Sequence, residues 1–168
     1  MRIYHNQLTN TLNQGFKPVW LIFGDEPWQK NNALVTIKQH LNQQGFDELI
    51  RLTVDEHFSW SELQQEYQSM SLFSNRRIIE IELTNNKIGD KGAKAFGELA
   101  QQLHQDVVLV IHGAKLDAAG QKRKWFKALE NQGCFIPLYD IEGKQLQQWI
   151  QRHARQYQLN LLPDVVLQ

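Results

Sequence analysis

Several things are scarce in this chain of 168 residues, and each scarcity closes off a class of protein. There is one cysteine, Cys134. It cannot close an internal disulfide and has no cysteine partner for a metal site, which excludes a disulfide-stapled scaffold and a zinc ribbon. No apolar run approaches the roughly 18 residues that a membrane span needs. Met1–Gln7 contains no apolar signal core. The expectation is therefore a cytoplasmic location and no membrane partner. Charge of one sign is also lacking: 18 Lys and Arg balance 18 Asp and Glu. A globally basic nucleic-acid binder is not indicated, which leaves only a local patch. The histidines, His5, His40, His57, His104, His112 and His153, are dispersed without ligand spacing, so no metal is expected.

What the chain does contain is alternation of short apolar runs with amphipathic stretches. Five runs stand out: Val19–Phe23, Leu49–Val54, Ile78–Leu83, Val107–Ile111 and Phe135–Leu138. The first and fourth are almost continuously apolar, as for strands buried on both faces of a parallel sheet. The third alternates, with Glu80 and Glu82 opposite Ile79, Ile81 and Leu83. It should have a wetter face or lie near an edge. Helices are predicted at Ile3–Asn13, Pro27–Gln44, Trp60–Met70, Lys91–Gln105 and Ala118–Gln132. Ser59 or Ser61 would cap the third, and Gly45 and Gly133 sit where helix ends want a left-handed residue. Strand–helix repetition of this kind predicts a doubly wound α/β domain with a five-stranded, mainly parallel sheet. A break at Asp140–Gly143 gives an α/β domain over 1–140. A helix with Leu146, Trp149, Ile150, Ala154 and Tyr157 then starts a second, helical domain over 141–168. The ending Pro163–Gln168 reads as a first helical turn, and the chain is expected to be a fragment of a longer protein.

Ligands of such sheets bind beyond the carboxyl ends of the strands. The first strand runs into Gly24-Asp25-Glu26-Pro27-Trp28-Gln29-Lys30-Asn31, where a phosphate loop would read G-x-x-x-x-G-K-[ST]. Gly24 and Lys30 are in register. Gln29 replaces the second glycine and Asn31 the magnesium-binding hydroxyl. Asp25 and Glu26 put carboxylates where a polyanion would sit, and Pro27 removes an amide donor. No acidic pair follows the third strand, which ends Leu83-Thr84-Asn85-Asn86. The turn reads as a degenerate, non-binding phosphate loop, and no cofactor is expected. Other chemistry is weaker. Asp55-Glu56-His57 resembles an acid–base group but suits solvated or capping charges better. Lys115 suits the surface, and Cys134 a buried strand.

The third helix breaks its own pattern. Leu63, Tyr67 and Met70 fall within about 60° on the helical wheel, whereas Leu72 lies about 180° from Leu63. Either the helix ends near Ser71 and the chain folds Leu72 and Phe73 into the core, or the two project outward as an apolar plug for a partner. Spacing alone favours the first, since terminal turns often break periodicity.

The run Gln68-Ser69-Met70-Ser71-Leu72-Phe73-Ser74-Asn75-Arg76-Arg77 resembles the clamp-contacting segment of the delta subunit of the bacterial DNA polymerase III clamp loader. The resemblance extends along the chain, through Arg2-Ile3-Tyr4 with Gln7-Leu8, Gly24-Asp25-Glu26-Pro27, Val107–Ile111 with Gly113, Lys115 and Leu116, and Trp125-Phe126 with Ala128-Leu129. It implies an AAA+-like, P-loop NTPase-type first domain, a small helical lid-like second domain, and a third collar domain that this chain lacks. It implies a subunit that binds no ATP and pushes a helix tip into a hydrophobic pocket of the sliding clamp, holding the ring open for loading onto primed DNA. Leu72 and Phe73 would carry that grip, with Met70 and Ser71 shaping the tip. Such a chain has no activity of its own within a DNA-directed DNA polymerase (nucleotidyltransferase) holoenzyme of the bacterial replisome. Its partners would be the clamp, the ATPase subunits, a delta-prime-like subunit and primer–template DNA.

A basic cluster, Lys115, Lys122, Arg123, Lys124 and Lys127, surrounds the start of the fifth predicted helix. It is either a solvated face or a contact to DNA phosphate. Asn75-Arg76-Arg77 is more basic than a strand entry requires, and solvation or complementarity to an acidic clamp surface are the two readings it allows. A divergent nucleotide-dependent enzyme and an α/β adaptor with an unrelated partner stand as alternatives.

Overall fold

The computed structural model describes residues 1–69 and 76–159. Its centre is a five-stranded sheet of β1 (Val19–Phe23), β2 (Glu48–Val54), β3 (Arg77–Leu83), β4 (Val107–Gly113) and β5 (Cys134–Pro137). The order is β2-β3-β4-β1-β5, and every pairing is parallel. The helices are α1 (Leu8–Asn13), α2 (Pro27–Gln43), α3 (Trp60–Gln68), α4 (Gly89–Leu99), α5 (Ala118–Gln121), α6 (Lys124–Gln132) and α7 (Gly143–Gln156). The chain divides into two compact units, Met1–Leu138 and Tyr139–Gln168.

Strand alternation sorts the side chains of the first unit into two cores. Val19, Leu21 and Phe23 of β1 join Ile79, Ile81, Leu109, Ile111 and Phe135 under Leu63 and Tyr67 of α3, Phe96 of α4 and Trp125, Phe126 and Leu129 of α6. Trp20 and Ile22 face the other way, with Val108, Val110 and Ile136, under Leu8 and Leu12 of α1 and Ala33, Leu34, Ile37 and Leu41 of α2. Strands β1 and β4 are buried throughout, as their continuous apolar runs require.

One local expectation holds with a qualification, and three need correction. The strand β3 lies one place in from the edge strand β2, and Glu82 is exposed, but Glu80 is only 9% exposed. Its burial is compensated by the partners described below. The helix expected to reach Gln105 stops at Leu99, because the Tyr67 hydroxyl donates to Gln102 O and accepts from His104 N, holding that stretch in a turn. The stretch expected as one helix over Ala118–Gln132 is two. Arg123 is extended, and α6 restarts there so that Trp125 and Phe126 enter the core. Finally, Gly45 has the expected left-handed φ, at 87°, but Gly133 does not, at φ −147°. Gly133 is required by close approach instead: a Cβ there would lie 2.0 Å from the Val19 carbonyl oxygen.

At the start of α3, Ser59 occupies the cap position, yet its hydroxyl pairs with that of Ser61 rather than with the helix. In the second unit residues 139–159 are described, and in α7 Ala154 is buried and Leu146 exposed. No helix among the described residues is long and apolar enough to cross a membrane.

Candidate interaction ends of the sheet

At the carboxyl end of the sheet, the β1–α2 turn uses its own side chains where a phosphate would bind. Pro27 is the first residue of α2 and Glu26 its cap. The Glu26 carboxylate accepts from Gln29 N at 2.6 Å and Trp28 N at 3.2 Å. These are the amides that a helix amino terminus offers to an anion, and a carboxylate already takes them. Gln29, in place of the second glycine, is buried, while Lys30 is half-buried and Asn31 exposed. Gly24 is fixed by packing: a Cβ would lie 2.4 Å from the Leu138 carbonyl oxygen.

The neighbouring loops are laced across the same end. The Gly24 N–H donates to Gly113 O, and Lys115 N–H to the Asp25 carboxylate at 3.1 Å. The Asn86 side-chain amide donates to Ala114 O and Lys115 O. Thr84 is tied through both its N–H and its hydroxyl to Val54 O. Asp25 and Glu26 therefore work as local caps.

Beneath α2, Glu80 gathers nitrogen partners from three elements. Lys38 Nζ of α2 lies 2.9 Å from Oε2, Arg51 of β2 lies 3.7 Å away, and His112 Nε2 of β4 lies 3.4 Å from Oε1. The Lys38 contact is a hydrogen bond, whereas the His112 contact is an ion-pair distance without hydrogen-bond geometry. The Glu80 carboxyl falls from 4.5 to about 2, through His112 beside it and then Lys38, against the opposing effect of burial. Sequence reading missed this cluster because an alternating Glu in a strand resembles a solvent-facing one.

Other sequence candidates separate. Asp55, Glu56 and His57 are all exposed, and Asp55 accepts from His57 N–H in a local turn. Cys134 is fully buried, and burial raises its thiol pKa, as suits a small core residue. Among the described residues no three His, Cys, Asp or Glu side chains gather to hold a metal. Lys115, Lys122, Arg123, Lys124 and Lys127 are all exposed. Lys115 lies in the loop after β4, Lys122 and Arg123 form the α5–α6 joint, and Lys124 begins α6. Lys127 pairs with Glu130 at 2.5 Å.

Met70, Ser71, Leu72 and Phe73 lie outside the described residues. Their flanks are well defined. Arg76 donates to Gln44 O at 2.9 Å, lies 3.4 Å from the Asp106 carboxylate and covers the Phe46 ring at 5.4 Å. Arg77 is buried, and its Nη1 donates to the Ser69 hydroxyl at 2.9 Å. The basic excess at 76–77 thus has internal partners, an account that sequence alone did not provide.

The family model described as DNA polymerase III, delta subunit, matches residues 20–138. Two curated relatives are each described as DNA polymerase III subunit delta. The one from Escherichia coli is 29% identical over 96% of this chain and 47% of its own length. The one from Haemophilus influenzae is 36% identical over 76% of this chain and 37% of its own. The chain thus spans less than half of either relative. Among solved structures, the Bacillus subtilis DNA clamp loader delta protein superposes with a TM-score of 0.69 at 18% identity, covering 96% of this chain and 50% of that one. A Thermotoga maritima RuvB, an AAA+ protein, superposes at 0.60 with 12% identity, covering 96% and 52%. These structural likenesses establish the AAA+-like fold.

Proposed function

The chain belongs to the DNA polymerase III delta-subunit family, and from that premise we propose that it is a clamp-loader subunit that grips and opens the sliding clamp without binding ATP itself. The observation that carries the ATP-independent half is the Glu26 cap. Its carboxylate holds the Trp28 and Gln29 amides that would otherwise cradle phosphate. A second anion at that turn would meet like charge and find fewer free donors.

The grip is assigned to Leu72 and Phe73, with Met70 and Ser71 shaping the tip. Support comes from the family and from the resemblance of the run 68–77, which lies in sequence between α3 and β3. Two large apolar side chains entering a partner's pocket contribute about 1.5–3 kcal/mol each. Residues 1–140 are read as the clamp-binding α/β domain and 141–168 as the start of a lid-like helical domain. The ATPase subunits and a delta-prime-like subunit are read as its neighbours in the bacterial replisome. In this reading the chain is a non-catalytic part of the polymerase holoenzyme, and delta acts on the clamp while the ATPase subunits time its access.

Lys115, Lys122, Arg123, Lys124 and Lys127 are proposed to meet the phosphates of primer–template DNA enclosed by the assembly. Their exposure supports this. The test of the main reading is titration of the complete chain against immobilised sliding clamp. Saturable one-to-one binding that is unchanged by ATP is expected. Absence of saturable binding, or a requirement of the isolated chain for ATP, would overturn it.

A further inference from the structure

The loop from β4 into α5 is exposed at Ala114 and Lys115, yet its backbone is held residue by residue. Gly113 O accepts from the Gly24 N–H at 3.3 Å. Ala114 O and Lys115 O accept from the Asn86 side-chain amide at 2.9 and 3.2 Å. The Lys115 N–H donates to the Asp25 carboxylate at 3.1 Å. Leu116 then enters the core, and its carbonyl accepts from Gln121 Nε2 at 2.9 Å. Every carbonyl from 113 to 116 therefore has a partner.

The side chains that do this are informative. Ala114 and Lys115 are exposed, so water would serve their backbone groups, and burial does not demand protein partners there. What the partners add is a fixed conformation. Asn86 spends its amide nitrogen on two carbonyls of the loop, while its Oδ1 is buried with no donor among the described residues. Its orientation is set by the carbonyls, at the cost of an unmatched oxygen. Gly113 makes room for it: a Cβ there would lie 2.8 Å from that oxygen. Asp25 also has a cost. A carboxylate beside a lysine-bearing loop opposes the approach of any phosphate. What it supplies in return is the acceptor for the Lys115 N–H.

We propose that Asp25 and Asn86 are positioning residues that hold the backbone of Lys115, so that its ammonium meets a DNA phosphate from a loop already fixed. This rests on the reading of the exposed basic residues as contacts to primer–template DNA. A lysine on a loose loop has to be ordered when it binds, and a backbone fixed beforehand removes that cost. Only molecules with the loop closed present Lys115 productively, so loosening the loop lowers apparent affinity by the fraction lost. The turn that resembles a nucleotide site thereby serves a different phosphate. Its side chains hold the loop that carries the cation and do not touch the ligand.

The experiment measures equilibrium binding of labelled primer–template DNA by the complete clamp-loader assembly over a range of salt, with thermal unfolding of the chain alongside. Variants are Asp25→Ala, Asp25→Asn, Asn86→Ala and Lys115→Ala. The two Asp25 variants remove the same charge, but asparagine keeps an oxygen that accepts from the Lys115 N–H. Asp25→Asn is expected to bind DNA at least as tightly as the wild type. Asp25→Ala should bind about threefold more weakly than Asp25→Asn, the size of one exposed hydrogen bond. Asn86→Ala, which loses two, should bind about tenfold more weakly than the wild type. Lys115→Ala should flatten the salt dependence by about one unit of slope, whereas the two Asp25 variants should share one slope. In a Lys115→Ala chain the difference between the Asp25 variants should vanish. Asp25 is exposed, so its variants remain informative should Asn86→Ala fail to fold. Equal affinity of folded Asp25→Ala and Asp25→Asn would overturn the proposal. So would a difference that persists without the Lys115 side chain. A Lys122→Glu/Arg123→Glu/Lys124→Glu chain in the same assay separates the two ideas. If it loses DNA affinity while the Asp25 variants bind alike, only the positioning fails; if neither it nor Lys115→Ala alters DNA affinity, the DNA reading itself fails.

Discussion

At the carboxyl end of the sheet, side chains fill the places a ligand would take. At the amino end, side chains fasten the described residues on either side of 70–75. Glu26, Asp25 and Asn86 satisfy amides and carbonyls within the loops. Tyr67, Ser69 and Arg77 brace one helix end against its neighbours. One sheet thus has a closed end and a braced end. The difference teaches that both ends of such a sheet can be held by the chain's own side chains, one through loop caps and the other through a braced helix end.

The largest effect expected from breaking this contrast is at Gly24. Valine there would drive its Cβ into Leu138, whose carbonyl oxygen would be 2.4 Å away. Gly24→Val should cost more than about 3 kcal/mol and leave little folded protein on thermal melting. A well-folded variant would mean that the turn is looser than the packing requires, and that the glycine is a remnant of phosphate binding.

Next is Glu80. Its folded pKa is lowered from 4.5 to about 2, so its contribution is present above about 4.5 and disappears as pH falls from there towards 2. Glu80→Gln should destabilise by about 2 kcal/mol near neutral pH, as loss of charge-assisted bonds to Lys38 does. The gap in melting temperature from wild type should close progressively in acid. A gap that is constant with pH would show that charge is not what holds α2 to β3.

A smaller effect belongs to Glu26. Removing the cap with Glu26→Ala should cost about 1 kcal/mol, a fall of about 3 °C in melting temperature for a chain of this size. The comparison is sharpened by adding magnesium and ATP to that variant. No stabilisation is expected, because Gln29 is still buried where a glycine would be needed. ATP-dependent stabilisation would mean that the carboxyl end is masked and not lost.

The smallest effect concerns the exposed basic stretch. Reversing Lys122, Arg123 and Lys124 to glutamate should leave clamp binding as it was. It should flatten the salt dependence of DNA association by the complete assembly, by about one unit of slope for each phosphate no longer neutralised. An unchanged slope would return these residues to the solvated face.

Much of the frame was legible. β1 and β4 could be read because burial on both faces demands an unbroken apolar run. Pro27 announced the start of α2, whereas the capping role of Glu26 came only with the structure. Features set by distant partners could not be read. The end of α4 depends on a hydroxyl from α3, and the depth of Glu80 on Lys38 and His112, far away in sequence. Arg77 looked like a solvated charge, since nothing local reveals a serine eight positions earlier as its acceptor. The break in the apolar stripe at Leu72 was visible, but periodicity could not tell a core fold-back from a plug.

The most direct test of the account is the affinity of the complete chain for sliding clamp with and without Leu72→Ala/Phe73→Ala. Thermal unfolding in parallel verifies an intact fold. At about 1.5–3 kcal/mol per side chain, the account predicts a loss of at least about a hundredfold with the melting temperature preserved. A folded double variant that binds the clamp as the wild type does would contradict it.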